Sequence, residues 1–335
     1  MSRTSRLGLA AAVTSLALMI SACGGDDSAT ADAAEGNQNE NSTVERGEDW
    51  PETLEFISIP SEEQTELVQQ YEVLLELFEE DLGVTINSTS ATSYAAVIEA
   101  MNAGNADIAN FGPFSYVVAA DTAGAQPVAV AINAEGEDPS YVSYLVTQAD
   151  NDEINSIEDL EGKTVCFVDQ VSTSGFLYPT AGLMEAGLEE GDYESVFAGG
   201  HDASFISTMN GDCDAGFAYD TMVDVDMTGP EGNYSPDDMK VVWESEDIPS
   251  APFAAHESLP EDMVEAMRDI LLTKLNTEWL AENGYCENPE PGSEPENDCS
   301  AVVPTADFGY IEVDDSVFDG IRAVCEITEA DACTE

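Results

Sequence analysis

The sequence predicts an α/β protein of two lobes, each a mainly parallel sheet flanked by helices, with a ligand cleft between the lobes. Three observations predict it. Short apolar runs alternate with segments of helical period from about residue 54 onward, the pattern of βαβ units. The alternation runs twice, over about 54–132 and again over about 164–219. Extended segments at about 141–147 and 240–247 join the two series, so the chain crosses from one lobe to the other and returns.

The chain start reads as an export leader. Arg3 and Arg6 precede an apolar stretch from Leu7 to Ile20, and Ser21, Ala22 and Cys23 follow. The stretch is too short and too weakly flanked for a transmembrane helix, so residues 1–22 are expected to be removed. Small residues ending in a cysteine resemble the bacterial lipobox, and Cys23 is the expected lipidation site. The protein would then be extracytoplasmic, anchored to the outer face of the cell membrane. Residues 23–50 are mostly Asp, Glu, Asn, Ala and Gly, which cannot bury enough surface to offset the entropy of ordering, and read as an acidic tether.

Three segments make up the folded part: residues 51–140 as the first part of lobe 1, 141–245 as lobe 2, and 246–335 completing lobe 1 with an acidic, cysteine-containing end. Leu54 to Ile59 is a strand, and Ser61 with Gln64 opens a helix as a capping box. Leu67, Tyr71, Leu74, Leu75, Phe78 and Leu82 give that helix its apolar face. Val84 to Asn87 returns as a strand, a helix carries Val97, Ile98 and Met101, and Asp107 to Phe111 is the next strand. A helix from about Phe114 and the strand Pro127 to Ile132 close the first series. The second holds strand Thr164 to Val168, helix Ser174 to Ala186, strand Ser195 to Ala198, helix Ala203 to Asn210 and strand Ala215 to Tyr219. Lys240 to Trp243 leads back, and Glu261 to Leu275 is a long amphipathic helix.

Eight Lys and Arg stand against 69 Asp and Glu, a formal net charge of −61 at pH 7, and loss of the leader removes two of the cations. Such a chain binds neither nucleic acid nor an anionic membrane face electrostatically. Its 43% apolar content and ordered patterns exclude an acidic disordered protein, and a saline habitat, where salt screens carboxylate repulsion, accounts for the charge. Besides Cys23 there are Cys166, Cys213, Cys286, Cys299, Cys325 and Cys333, which in an exported protein suggest three disulfides. Proximity favours Cys286–Cys299 and Cys325–Cys333, leaving Cys166–Cys213 between two strands. With two His and no CxxC, neither a metal nor a cofactor is expected.

The most informative segment is Ser172-Thr173-Ser174-Gly175, just after a strand and opening a helix. Three hydroxyls beside the free N–H groups of a helix start form a concave set of neutral donors suited to a tetrahedral anion. Such runs also cap helices with no ligand, so context matters. Tyr94, Ser115, Tyr141, His201 and Asp220 all fall at strand carboxyl ends or at a crossing, where open α/β sheets bind ligands. No Lys or Arg is near them except Lys163, at the opposite end of its strand. An anion here must be held by neutral donors, aided by His201 if protonated.

Several segments together are familiar. Ser93-Tyr94-Ala95-Ala96-Val97-Ile98-Glu99-Ala100, Ala106-Asp107-Ile108-Ala109 and Phe111-Gly112-Pro113-Phe114-Ser115-Tyr116 resemble the phosphate/phosphite/phosphonate ABC-transporter substrate-binding family. Leu160-Glu161-Gly162-Lys163, Ser172-Thr173-Ser174-Gly175 and Gly199-Gly200-His201-Asp202-Ala203 match it in order and spacing. The resemblance implies a type II periplasmic-binding fold, an ABC permease as partner, and a phosphonate group surrounded by Tyr94, Tyr141, Ser172, Thr173, Ser174 and His201. One departure stands out. Members that take aminoalkylphosphonates place a carboxylate after Ile-Pro-Gly, whereas this chain reads Ile248-Pro249-Ser250-Ala251, with Ala251 at that place. Burying an ammonium group without its partner costs several kcal/mol. Asp220 is a second carboxylate that could serve such an amine, but with Ala251 in place phosphite, phosphate or a small alkylphosphonate is favoured.

The expected function is therefore a monomeric binding lipoprotein that captures a phosphorus oxyanion for an ABC importer. Catalysis is not expected, because phosphoester or phosphonate cleavage needs a metal cluster or an activated nucleophile with a positioned base. Two alternatives keep the fold: a sensor ectodomain that reports ligand to a membrane kinase, and an importer protein for another small anion such as a sulfonate.

Overall fold

The computed structural model describes residues 46–61, 64–229, 232–287, 298–305 and 308–333. The leader, Cys23, most of the tether and the side chain of Gln64, with its capping box, lie outside them. In chain order the first elements are β1 (Thr53–Ser58), α1 (Gln64–Leu82), β2 (Thr85–Ser90), α2 (Tyr94–Asn102), β3 (Ile108–Asn110), α3 (Pro113–Ala123) and β4 (Ala125–Ile132). Next come β5 (Ser140–Tyr141), β6 (Ser143–Gln148), β7 (Thr164–Phe167), α4 (Tyr178–Glu185), β8 (Glu194–Phe197), α5 (His201–Met209) and β9 (Ala215–Tyr219). The chain ends with β10 (Met239–Glu244), β11 (Ile248–Pro249), β12 (Pro252–His256), α6 (Glu261–Thr273), α7 (Thr277–Glu282), β13 (Gly309–Ile311) and α8 (Asp319–Thr328).

These strands form a six-stranded sheet in the order β13-β4-β12-β3-β1-β2 and a five-stranded sheet in the order β10-β6-β9-β7-β8. Each has a parallel part built by βαβ units, β2-β1-β3 in the first and β8-β7-β9 in the second. The other pairings are antiparallel, but β4 runs in the direction of β1, β2 and β3, and β10 in that of β7, β8 and β9. Both sheets are thus mainly parallel as expected, with β12, β13 and β6 reversed. The reason is connectivity. A chain that returns from the other lobe through an extended crossing enters its sheet without a crossover helix, and its direction is free to reverse. The crossing at 141–147 itself divides: β5 pairs with β11 in a two-stranded ribbon, while β6 joins the second sheet.

Apolar side chains fill both faces of the first sheet. Phe56, Phe78 and Phe253 pack with Met267 and Leu271 of α6 on one face. Phe253 touches Phe56 and Phe78 at ring separations of 6.1 and 5.6 Å, and truncating such a buried aromatic to Ala typically costs about 3–5 kcal/mol. The other face packs on α2, α3 and α8, and that cluster also takes in Val168, Val171 and Leu177 from beyond the second sheet. The acidic chain end is thus structural: β13 extends the first sheet, and Phe318 of the segment leading into α8 meets Tyr116 at 4.6 Å. Among the described residues no helix is long and apolar enough to cross a membrane.

The three cysteine pairs are joined in the structure as Cys166–Cys213, Cys286–Cys299 and Cys325–Cys333. Cys213 lies in the turn after α5 and not on β9, so the first bond ties β7 to a turn rather than to a neighbouring strand.

Candidate functional site

The hydroxyl run begins where β7 ends. Asp169 Oδ1 accepts the N–H of Val171 at 2.9 Å and its carbonyl accepts that of Ser172, which turns the chain sharply. Ser172 Oγ then caps the next element by accepting the N–H of Gly175 at 3.1 Å. A continuous helix from Ser174 was expected, but Thr173–Leu177 forms a wide π-type turn before α4. Pro179 explains it. Having no N–H, it cannot bond back to Gly175, whose carbonyl instead accepts the N–H of Val168. Gly175 is pressed against that strand end, and a Cβ there would lie 2.3 Å from a Val168 methyl. Only glycine fits, and Ser172, Thr173 and Ser174 end up 1–2% exposed.

Groups from both sheets meet this run. Thr173 Oγ1 accepts the N–H of Phe114, at the start of α3, at 2.8 Å. Asp169 Oδ2 accepts the N–H of Tyr94, at the start of α2, at 3.4 Å. The Tyr141 phenol is within hydrogen-bonding reach of the Ser174 and Thr173 hydroxyls, and Ser143 Oγ donates to the Ser174 carbonyl at 2.6 Å. Burial raises the Tyr141 pKa, which those two hydroxyls partly offset, so the phenol keeps its proton and remains a donor.

His201 opens α5 after Gly199, whose φ of 91° favours glycine. Its N–H donates to the Ser61 carbonyl at 2.9 Å, another contact between the two lobes. The ring is 4% exposed, lies edge-on to Tyr219 at 4.6 Å, and brings Nε2 to 3.4 Å from Ser172 Oγ. Burial lowers its pKa to about 3, so His201 is neutral near pH 7, and the protonated form that the sequence left open does not add to the donors there. A neutral imidazole can still donate one N–H.

Asp220 follows β9, with its N–H on the Val142 carbonyl, and burial raises its pKa. Ser115 is fully buried at the start of α3, where its hydroxyl donates to the Gly112 carbonyl at 3.0 Å and so serves its own turn. Tyr94 is 1% exposed at the first position of α2. Two residues escaped the sequence reading: Asp169, which reaches α2 from the other sheet, and Asn110, a buried amide at the end of β3. Among the described residues, Asn110 Nδ2, His201 Nδ1 and Asp220 Oδ1 are buried without a hydrogen-bond partner. A polar residue ending an apolar strand is the signal that could have found Asn110.

Every cation of the described residues is engaged elsewhere. Lys163 pairs with Glu153, Lys274 with Asp81, Arg268 with Glu312, and Arg322 with Asp315 and Asp319. Lys240 and Arg46 bond to Asn151 and Gly83 carbonyls respectively. Nor do the described residues hold a cluster of His, Cys, Asp and Glu that could bind a metal. A depression of about 540 Å³ lined by Gln148, Asp150, Met209 and Tyr234 lies at the far end of β6 and includes none of the hydroxyl run.

The family described as ABC transporter, phosphonate, periplasmic substrate-binding protein matches residues 56–285. The chain belongs to this family. It is 38% identical over 334 residues to the "Phosphate-import protein PhnD" of Mycolicibacterium smegmatis, covering 97% of each chain. It is 29% identical over 230 residues to the "Phosphonates-binding periplasmic protein" of Escherichia coli, covering 67% of each. The structure of PhnD1 from Prochlorococcus marinus in complex with methylphosphonate superposes with a TM-score of 0.68 at 18% identity, over 83% of this chain and 99% of that one, a likeness of fold. A binding protein component of an ABC phosphonate transporter from Pseudomonas aeruginosa gives 0.67 at 23% identity, over 84% and 87%. Membership makes this chain an extracytoplasmic substrate-binding protein of an ABC phosphonate or phosphate importer with a type II periplasmic-binding fold.

Proposed function

We propose that this phosphonate-family protein captures phosphate, phosphite or a small alkylphosphonate between its two sheets and presents it to an ABC permease, while a lipidated Cys23 tethers it to the membrane. Ser172, Thr173, Ser174, Tyr141, Tyr94 and a neutral His201 hold the anion through uncharged donors. The observation that carries this reading is the Thr173 hydroxyl, which belongs to the hydroxyl run, reaches Tyr141, and accepts the Phe114 N–H from the opposite sheet. Ligand binding and lobe closure then share one side chain.

Magnitudes support it. Micromolar affinity needs about 8 kcal/mol. Hydrogen bonds to a charged group contribute roughly 1.5–3 kcal/mol each, so five or six donors suffice after closure and desolvation. Ala251 lies between β11 and β12, directly after the ribbon that holds Tyr141, and offers no carboxylate to an amine. Calorimetric titration tests the ligand class. Phosphate, phosphite and methylphosphonate should bind at micromolar Kd or tighter and 2-aminoethylphosphonate more weakly. Tightest binding of the aminophosphonate would overturn the role given to Ala251. Fractionation of cells carrying Cys23→Ala tests the anchor: the variant should leave the membrane fraction.

A further inference from the structure

Asp220 is out of place among donors. Its carboxyl accepts the backbone N–H groups of Thr221, Val142 and its own residue, yet Oδ1 is buried with no partner. It lies close enough to Tyr141 for its charge to act on the phenol, and its own N–H is held by Val142, one residue beyond Tyr141. The preceding residue, Tyr219, places its ring on His201 at 4.6 Å and near Tyr141 at 6.4 Å. Asp220 is therefore part of the wall that carries the donor set. Among the described residues every Lys and Arg is committed elsewhere, and no group of metal ligands is present to neutralise it. A buried acceptor left unmatched is costly, and an ionised one facing an anion more so. The ligand can supply what the protein lacks, a hydrogen on one of its own oxygens.

We propose that Asp220 determines specificity by reading the proton on the ligand: the cleft accepts a tetrahedral oxyanion in its monoprotonated form, whose P–OH donates to Asp220 Oδ1 while the hydroxyl run holds the ionised oxygens. This rests on the phosphorus-oxyanion reading above. Phosphate carries such a proton throughout the neutral range, and alkylphosphonates and phosphite carry it on a substantial fraction of their molecules there. Sulfate and sulfonates do not, and each would set a bare oxygen against the carboxylate. Discrimination would then come from an unpaired acceptor rather than from size, the kind of selection that polar sites make strongly.

Methylphosphonate and methanesulfonate have nearly the same shape, and at neutral pH they differ chiefly in that proton. Both, with phosphate and sulfate, are titrated into wild type and into Asp220→Asn and Asp220→Ser at pH 7, with thermal unfolding followed for each protein. Wild type is expected to bind methylphosphonate at least about 100-fold more tightly than methanesulfonate. Asp220→Asn, whose amide can donate, is expected to lower that ratio by at least about tenfold, with weaker phosphonate and stronger sulfonate binding. Asp220→Ser gives the same comparison should the Asn variant fold poorly, and the wild-type ratio stands without any variant. A wild-type ratio near one, or a ratio unchanged in both variants, overturns the role of Asp220 while leaving phosphorus-oxyanion capture intact. Wild type binding no phosphorus oxyanion at all overturns both readings.

Discussion

Thr173 Oγ1 accepts the Phe114 N–H at 2.8 Å, and that single bond joins the hydroxyl run after β7 to the start of α3 in the other sheet. A hydroxyl oxygen that accepts from one lobe leaves its hydrogen for the Tyr141 phenol or a bound anion. Thr173→Val keeps the shape and removes both bonds. The expected cost is about 2–4 kcal/mol, roughly 30- to 1000-fold in Kd, mostly as faster dissociation. Thr173→Ser should retain most of the affinity. Stopped-flow kinetics of both variants check this, and a Val variant that dissociates at the wild-type rate removes the coupling of binding to closure.

The Cys166–Cys213 bond should stabilise without contributing to binding. Its cysteines are 0% and 3% exposed, and the bond ties β7 to the turn after α5, away from the hydroxyl run. Replacing both by Ala is expected to lower unfolding free energy by about 2–4 kcal/mol while phosphate affinity changes by less than about twofold. Denaturation in urea paired with titration separates the two effects.

His201 makes stability depend on pH with a definite sign. Its pKa falls from about 6.5 unfolded to about 3 folded, so between those values the unfolded chain binds the extra proton and stability rises with pH. The contribution is complete above pH 6.5 and is lost as pH falls towards 3. From pH 6.5 to 5 it amounts to about 2 kcal/mol. Mild acid also relieves carboxylate repulsion, which acts the other way, so the test is a comparison. Denaturation curves of His201→Gln should fall less steeply over that range than those of wild type, and parallel curves would show that the ring is accessible to protons.

Salt should accelerate capture. A chain of formal charge −61 repels an incoming anion, and the hydroxyl run has no Lys or Arg beside it to attract one. Raising ionic strength from 0.1 to 1 M shortens the Debye length from about 10 to about 3 Å, and the repulsion fades while the short donor contacts persist. Association rates for phosphate, with circular dichroism held constant, should rise with salt. A rate that falls would reveal a locally positive cleft.

Local patterns carried most of the site. A strand, three hydroxyls and a helix start are adjacent in the chain, so Ser172, Thr173 and Ser174 could be read directly. What could not be read depends on contacts distant in sequence. The charge state of His201 follows from burial against residues such as Tyr219 and Ser61. Strand directions follow from where each crossing enters its sheet, and β5 pairs with β11 because both crossings pass side by side. Asp169 joins the two lobes because the N–H of Tyr94, at the start of α2, reaches its carboxylate. The π-type turn depends on the Val168 N–H taking the Gly175 carbonyl as well as on the donor missing at Pro179.

Titrating phosphate into wild type and into the Ser172→Ala, Thr173→Ala, Ser174→Ala triple variant, with both shown folded by circular dichroism, tests the neutral-donor site most directly. The expected outcome is micromolar or tighter binding to wild type and no measurable heat with the variant, since three charge-assisted bonds of roughly 1.5–3 kcal/mol each are gone. A triple variant that binds phosphate within about threefold of wild type would place the anion elsewhere in the molecule.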